Sequence, residues 1–209
     1  MRVGILNLPF DNNYGGNLQR YALARVLWEM GHDVKHINLR NSYCLPFYKK
    51  PYCYAKRLLM KLLGSKSSIF LEQERKREDE RMEINAQKFY ERYVSHTRAV
   101  YGVKEIGQVC RENKFQAVVV GSDQVWRNGM VKGVLGLNNY MLGFIHDEHI
   151  KKIAYAVSLG TEQRLGSAQV QRYSKFYNKF SAVSVRESQS VALFDEYGWT
   201  EPRAQHVLD

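Results

Sequence analysis

Cysteine is scarce and unpaired in this sequence: Cys44, Cys53 and Cys110 form no CxxC pair, and an odd number argues against a disulfide scaffold or a structural zinc site. That usage fits a reducing, cytoplasmic setting. No run of about 18 apolar residues occurs, and the opening Met1-Arg2-Val3-Gly4-Ile5-Leu6-Asn7-Leu8-Pro9 is too short an apolar stretch for a signal peptide. The expectation is therefore a soluble or peripheral protein. Acidic residues are missing from residues 41–68. Over the whole chain 31 Lys and Arg against 21 Asp and Glu leave a formal charge of +10. The excess favours phosphates, anionic sugars, nucleic acid or anionic lipid without choosing among them. GxSxG, GxxxxGK[ST] and HExxH are absent too, and with them the commonest signatures of a serine hydrolase, a P-loop and a zinc protease.

What is present is ample for a folded domain. The chain has 209 residues, 44% of them hydrophobic and 12% aromatic, a size that buries roughly 70% of the unfolded surface. Residues 2–8 read as a β-branched strand, 9–16 as a polar loop and 17–30 as a helix in which Leu18, Ala22, Val26 and Met30 recur, with Leu23 and Leu27 beside them. Gly31 is a natural stop, and residues 33–39 read as a second strand, giving a βαβ unit with parallel strands.

Across 41–68 the pattern dissolves into tyrosines mixed with Lys49, Lys50, Lys56, Arg57, Lys61 and Lys66, and 71–93 follows as a charged helix with a solvated face. Regular order resumes with a helix at 104–113 and a strand at 115–120, whose Ala117-Val118-Val119-Val120 run lacks alternation and so suits burial on both faces. Strands at 152–158 and 182–185 and helices at 167–180 and 188–197 complete a doubly wound α/β sheet. Ligands of such sheets sit beyond the carboxyl ends of the strands.

Three loops fall at that rim. In Asp11-Asn12-Asn13-Tyr14-Gly15-Gly16-Asn17-Leu18-Gln19 the adjacent glycines let a ligand approach the backbone, and the helix start favours an anion. It is not GxGxxG, and the same residues also suit a plain βα turn with Asn or Asp caps. Gly121-Ser122-Asp123-Gln124-Val125-Trp126 offers donors and acceptors for hydroxyl groups at Ser122, Asp123 and Gln124, and a flat face at Trp126 for a sugar or base; the alternative is a capped turn with a core tryptophan. Ser184-Val185-Arg186-Glu187 supplies Arg186, which could grip a carboxylate or phosphate through two parallel hydrogen bonds or simply pair with Glu187. Ser158-Leu159-Gly160-Thr161 closes a further strand in the same way. His146-Asp147-Glu148-His149 reads as an exposed turn rather than a metal site. His32 and His36 flank a strand and suit packing or solvent, and the basic tyrosine-rich stretch suits a membrane surface or a packed lid at least as well as nucleic acid.

Together these residues resemble the polysaccharide pyruvyl transferase family. The resemblance runs along nearly the whole chain. It rests on the loop 11–19 with Tyr21-Ala22-Leu23, on Val120-Gly121-Ser122-Asp123-Gln124-Val125-Trp126, on Lys152-Ile153-Ala154-Tyr155-Ala156-Val157-Ser158-Leu159-Gly160 and on Ser184-Val185-Arg186-Glu187. The first two motifs are specific in combination; the last two are weak alone. The resemblance implies a Rossmann-like, mostly parallel sheet forming the amino-terminal half of a GT-B-like two-domain architecture. It also implies transfer of the pyruvyl group of phosphoenolpyruvate to a sugar of a cell-surface glycan or its lipid-linked precursor, with phosphate released and no cofactor.

By the same resemblance Asn13, Tyr14, Gly15, Gly16, Asn17, Gln19, Gly121, Ser122, Asp123, Gln124, Trp126, Ser158, Gly160 and Arg186 line the substrate cleft, with Arg186 on an anionic end of phosphoenolpyruvate. No metal and no nucleic acid are expected, and peripheral contact with an anionic membrane at the inner face of the cell membrane is. Relatives continue through a Leu-Asp-Pro junction into a second domain that carries the catalytic histidine, whereas this sequence stops at His206-Val207-Leu208-Asp209. The expectation is a fragment or truncated product, in which His206 does not take that histidine's place. A noncatalytic glycan- or membrane-binding module and a nucleotide-sugar glycosyltransferase of GT-B type are the alternatives.

Overall fold

The apolar run 117–120 is divided between two faces of one sheet in the computed structural model, which describes residues 1–43, 45–66, 68–131, 135–160 and 164–208. Ala117 and Val119 pack with Val3, Ile5 and Leu23 on one side, while Val118 and Val120 pack with Leu6, Val109 and Val183 on the other. Alternating side chains on a strand covered twice require this apolar continuity. The strands are β1 (Arg2–Leu6), β2 (Asp33–His36), β3 (Ala117–Asp123), β4 (Lys151–Val157), β5 (Ala182–Val185) and the short edge strand β6 (Gln205–His206). All pair in parallel in the order β2-β1-β3-β4-β5-β6. The chain winds from β1 outward to β2 and then returns to place β3 on the other side of β1. This is a Rossmann-like doubly wound sheet whose switch point lies between β1 and β3.

The helices are α1 (Tyr14–Glu29), α2 (Lys50–Leu62), α3 (Leu71–Met82), α4 (Ile84–Tyr93), α5 (Val103–Glu112), the short α6 (Asn128–Val131) and α7 (Leu137–Tyr140), α8 (Ser167–Tyr177) and α9 (Ser188–Glu196). Gly31 ends α1 with a positive φ of 84°, the conformation expected of it.

Several sequence expectations change. Helix α1 starts at Tyr14 rather than Asn17, because the Asn13 side chain accepts from the Gly16 amide and caps it. Its inward face is also a different one: Asn17, Arg20 and Leu23 are buried, with Ala24 and Leu27 packed beside them, whereas Leu18, Ala22, Val26 and Met30 are exposed. A row spaced strictly by four slides about 40° round the helix at each step, so it cannot hold one face for four turns. The charged stretch 71–93 is two helices meeting at Glu83, not one. Residues 50–62, where no pattern was legible, form α2, and α6, α7 and β6 are further additions.

Cys53 and Cys110 are free, and burial pushes the Cys110 thiol up to about 12. Cys44, Thr161 and Asp209 lie outside the described residues.

Candidate functional site

Because every strand runs the same way, the loops after β1, β3, β4 and β5 emerge at one edge of the sheet, and backbone and side-chain bonds stitch them together. Asn7 spans the switch point: its Nδ2 donates to the Gly121 carbonyl and its Oδ1 meets His36 Nε2 at 3.1 Å. Since Oδ1 accepts, Nε2 carries the proton. Nδ1 then accepts from the Tyr90 hydroxyl at 2.6 Å, leaving a neutral imidazole with no exposure. Desolvation, assisted by the positive charges of Arg20 and Arg40 and by the neighbouring His96, holds the His36 pKa well below its ordinary 6.5. His36 is thus a structural part of the floor.

Loop 11–19 is organised around Arg20, which the sequence pattern placed outside the helix stripe. Its guanidinium donates to Asn17 Oδ1 at 2.5 Å and to the carbonyls of Leu8 at 2.9 Å and Pro9 at 3.0 Å, while Nε has no hydrogen-bond partner among the described residues. Burial lowers its pKa, and the carboxylates of Asp11 and Asp123 oppose that shift. Helical spacing of Arg20 with Leu23, Ala24 and Leu27 is the signal that could have revealed it. Asn17 is likewise internal: it accepts from Arg20 and donates to the Asp11 carbonyl at 3.1 Å. Asn13 caps α1, Tyr14 is exposed and Gln19 is half-buried. A Cβ added at Gly15 or Gly16 would meet nothing nearer than the Asn13 side chain, at 3.4 Å or more, so the turn itself does not require either glycine.

Gly121 is different. Its φ is +122°, and a Cβ there would stand 2.0 Å from the Tyr155 carbonyl oxygen, so only glycine fits where β3 pairs with β4. Ser122 is buried behind it. Asp123 Oδ1 accepts from the Gln124 amide at 2.7 Å, and Gln124 Oε1 accepts from Arg127 at 2.9 Å. Trp126 does not face the rim. Its indole is 1% exposed, packed among Tyr177, Phe180 and Phe194, and its Nε1 donates to the Tyr140 carbonyl at 3.1 Å. The core alternative weighed for this residue is the one the fold adopts, and no flat face remains for a sugar.

The ends of β3, β4 and β5 converge on Ser158 to Gly160. The Ser158 amide donates to the Asp123 carbonyl at 3.0 Å, its hydroxyl donates to Glu187 Oε1 at 2.6 Å, and the Gly160 amide donates to that hydroxyl at 3.0 Å. Just before them Ala156 takes a φ of +45° where β4 is irregular, a strained residue at the rim of the sheet. Arg186 donates from Nε to Glu187 Oε1 at 3.3 Å, as its pairing alternative foresaw, and remains partly exposed. Glu187 Oε2 has no hydrogen-bond partner among the described residues.

Arg127 is the arginine that sequence reasoning missed. It lies against Gly160, where an added Cβ would come within 2.9 Å of its Cδ. Its position immediately after a core tryptophan was the only clue.

Beside loop 11–19, a cavity of about 830 Å³ opens between the end of β2 and helices α3 and α4. Phe10, Arg40, Tyr43, Asp79, Glu83 and Gln87 are among its lining, and no predicted site residue is. Burial raises the Glu83 carboxyl above its usual range against the opposing charge of Arg40. Tyr43 donates to Asp79 in its wall. His146 and His149 are exposed in the turn before β4, and among the described residues no group of His, Cys, Asp and Glu is arranged to hold a metal ion. No described helix is long and apolar enough to cross a membrane.

No curated protein and no solved structure matches the chain at a significant level. The family model of polysaccharide pyruvyl transferases, however, matches residues 13–209, a span that includes all four rim loops from the Asn13 cap onward, and the chain accordingly belongs to the polysaccharide pyruvyl transferase family, a family of transferases.

Proposed function

We propose that the rim holds phosphoenolpyruvate and that the protein serves transfer of its pyruvyl group to a sugar of a cell-surface glycan or a lipid-linked precursor. The observation that carries this reading is the pair of partly exposed guanidinium side chains, Arg127 and Arg186, on the loops flanking Ser158 to Gly160. Phosphoenolpyruvate carries a carboxylate and a phosphate on a three-carbon frame, and two planar forks with a helix start nearby suit two anionic ends.

The reaction needs a proton delivered to the methylene carbon and a sugar hydroxyl adding to the adjacent carbon with loss of its proton; a second hydroxyl of the same sugar then displaces the phosphate and gives up its proton, so that the centre becomes a ketal bridging two sugar oxygens. Arg127 and Arg186 would bind and orient the donor and neutralise the departing phosphate.

Calorimetric titration of the full chain with phosphoenolpyruvate tests the reading. Binding is expected, and Arg186→Ala and Arg127→Ala should each weaken it about 10- to 100-fold, the worth of a charge-assisted pair. Protection by a nucleotide diphosphate sugar with none by phosphoenolpyruvate would instead identify a nucleotide-sugar glycosyltransferase.

A further inference from the structure

Helix α2 wears its apolar face outward. At 100° per residue, Pro51, Ala55, Leu58, Leu59 and Leu62 share one side of the helix, and all are exposed. Cys53 and Arg57 on the opposite side, with Tyr54 at the edge of the apolar face, are the half-buried residues. It is held by the Arg57 fork on Glu72, with bonds of 2.7 and 2.6 Å, by a bond of 3.0 Å from Arg57 to the Ile69 carbonyl, and by an edge contact of the Tyr54 and Phe70 rings at 5.5 Å. A surface helix of a globular domain buries its leucines and solvates its arginine; this one is tied down by the arginine. Leu59, Leu62 and Leu63 are 58%, 77% and 75% exposed, and Phe47, in the single helical turn Phe47–Lys49 just before α2, is 84% exposed.

The charges around that face are of one sign. Lys56 borders it on one side, Lys50 and Lys61 lie beyond Tyr54 on the other, Lys49 and Lys66 flank the helix, and residues 41–68 contain no acid. Apolar side chains flanked by lysines form the pattern of a helix lying in a bilayer interface, with leucines at the acyl boundary and ammonium groups at the lipid phosphates. Pairing two copies of the chain through this face would set lysine against lysine. Nucleic acid would engage the lysines and leave the leucines in water.

We propose that α2 and the preceding turn dock the protein on an anionic lipid bilayer. The proposal stands on this helix alone, independently of the donor site. Its test is co-sedimentation of the full chain with vesicles of phosphatidylcholine and phosphatidylglycerol, and with vesicles of phosphatidylcholine alone. Binding should require the anionic lipid and weaken as salt rises. Leu59→Glu with Leu62→Glu should lower partitioning by more than about tenfold, and Lys56→Gln and Lys61→Gln by about fivefold each. Because these side chains are exposed, thermal unfolding of the variants should match that of the wild type, and so should their affinity for phosphoenolpyruvate. Failure to bind anionic vesicles, or equal binding by the wild type and the double glutamate variant, overturns the proposal. So does a lipid-free dimer that the same glutamates dissociate, or RNA binding without vesicle binding.

Discussion

Gly121, inside β3, and Trp126, just beyond its end, are fixed by opposite means. The indole is held by aromatic neighbours and one hydrogen bond, so Trp126→Ala should destabilise the fold by about 3–5 kcal/mol in chemical denaturation. A tryptophan serving only as a sugar platform would cost far less. His36 makes the third residue-scale case. Its folded-state pKa lies below the ordinary 6.5, so below that pH the unfolded chain takes up a proton that the folded one refuses. Stability present above pH 6.5 is therefore lost as the pH falls toward the depressed folded value, by up to about 1.4 kcal/mol per pH unit. His36→Gln should lower stability at neutral pH and flatten the slope between pH 6.5 and 5; denaturation midpoints across that window check it, and an unchanged slope would remove His36 as the cause.

At the scale of elements, helix α1 shows most clearly how packing overrides pattern. Leu23 is buried against Ile5 and Val119, while Val26 stands in solvent three residues later. Leu23→Ala should cost about 2–4 kcal/mol, and Val26→Ala less than about 0.5 kcal/mol, a contrast that thermal melts can read. The strictly apolar row lost to one containing Arg20 because the turn carbonyls of Leu8 and Pro9 need donors once loop 11–19 folds over the sheet. A guanidinium can satisfy several acceptors at once, which no apolar residue could. Among the motifs, the legible part was the placement of four loops after strands. Which side chains of those loops turn inward was not legible, since Asn17, Ser122 and Trp126 look as polar or as available in the sequence as Gln124 or Arg186.

Across the whole molecule, stability is concentrated at the sheet. The inner strands β1, β3 and β4 carry core side chains on both faces, whereas α2 has no buried residue. Amide hydrogen exchange should therefore leave β3 and β4 protected until global unfolding and exchange α2 far sooner. Anionic vesicles should raise the protection of α2 alone; protection of α2 equal to that of β3 without lipid would contradict the ranking.

Strand period, unalternating apolar runs and glycine stops are local properties of the chain, and they were enough to foretell the doubly wound parallel sheet and the edge at which its loops gather. Tertiary contacts settled which residues of those loops face the rim, that Arg127 lies against Gly160, that Arg20 and His36 are sealed beneath, and that the leucines of α2 face outward. Each depends on which side of an element meets a neighbour, and that is set by contacts between residues distant in sequence, such as Arg127 with Gly160 and Asn7 with Gly121.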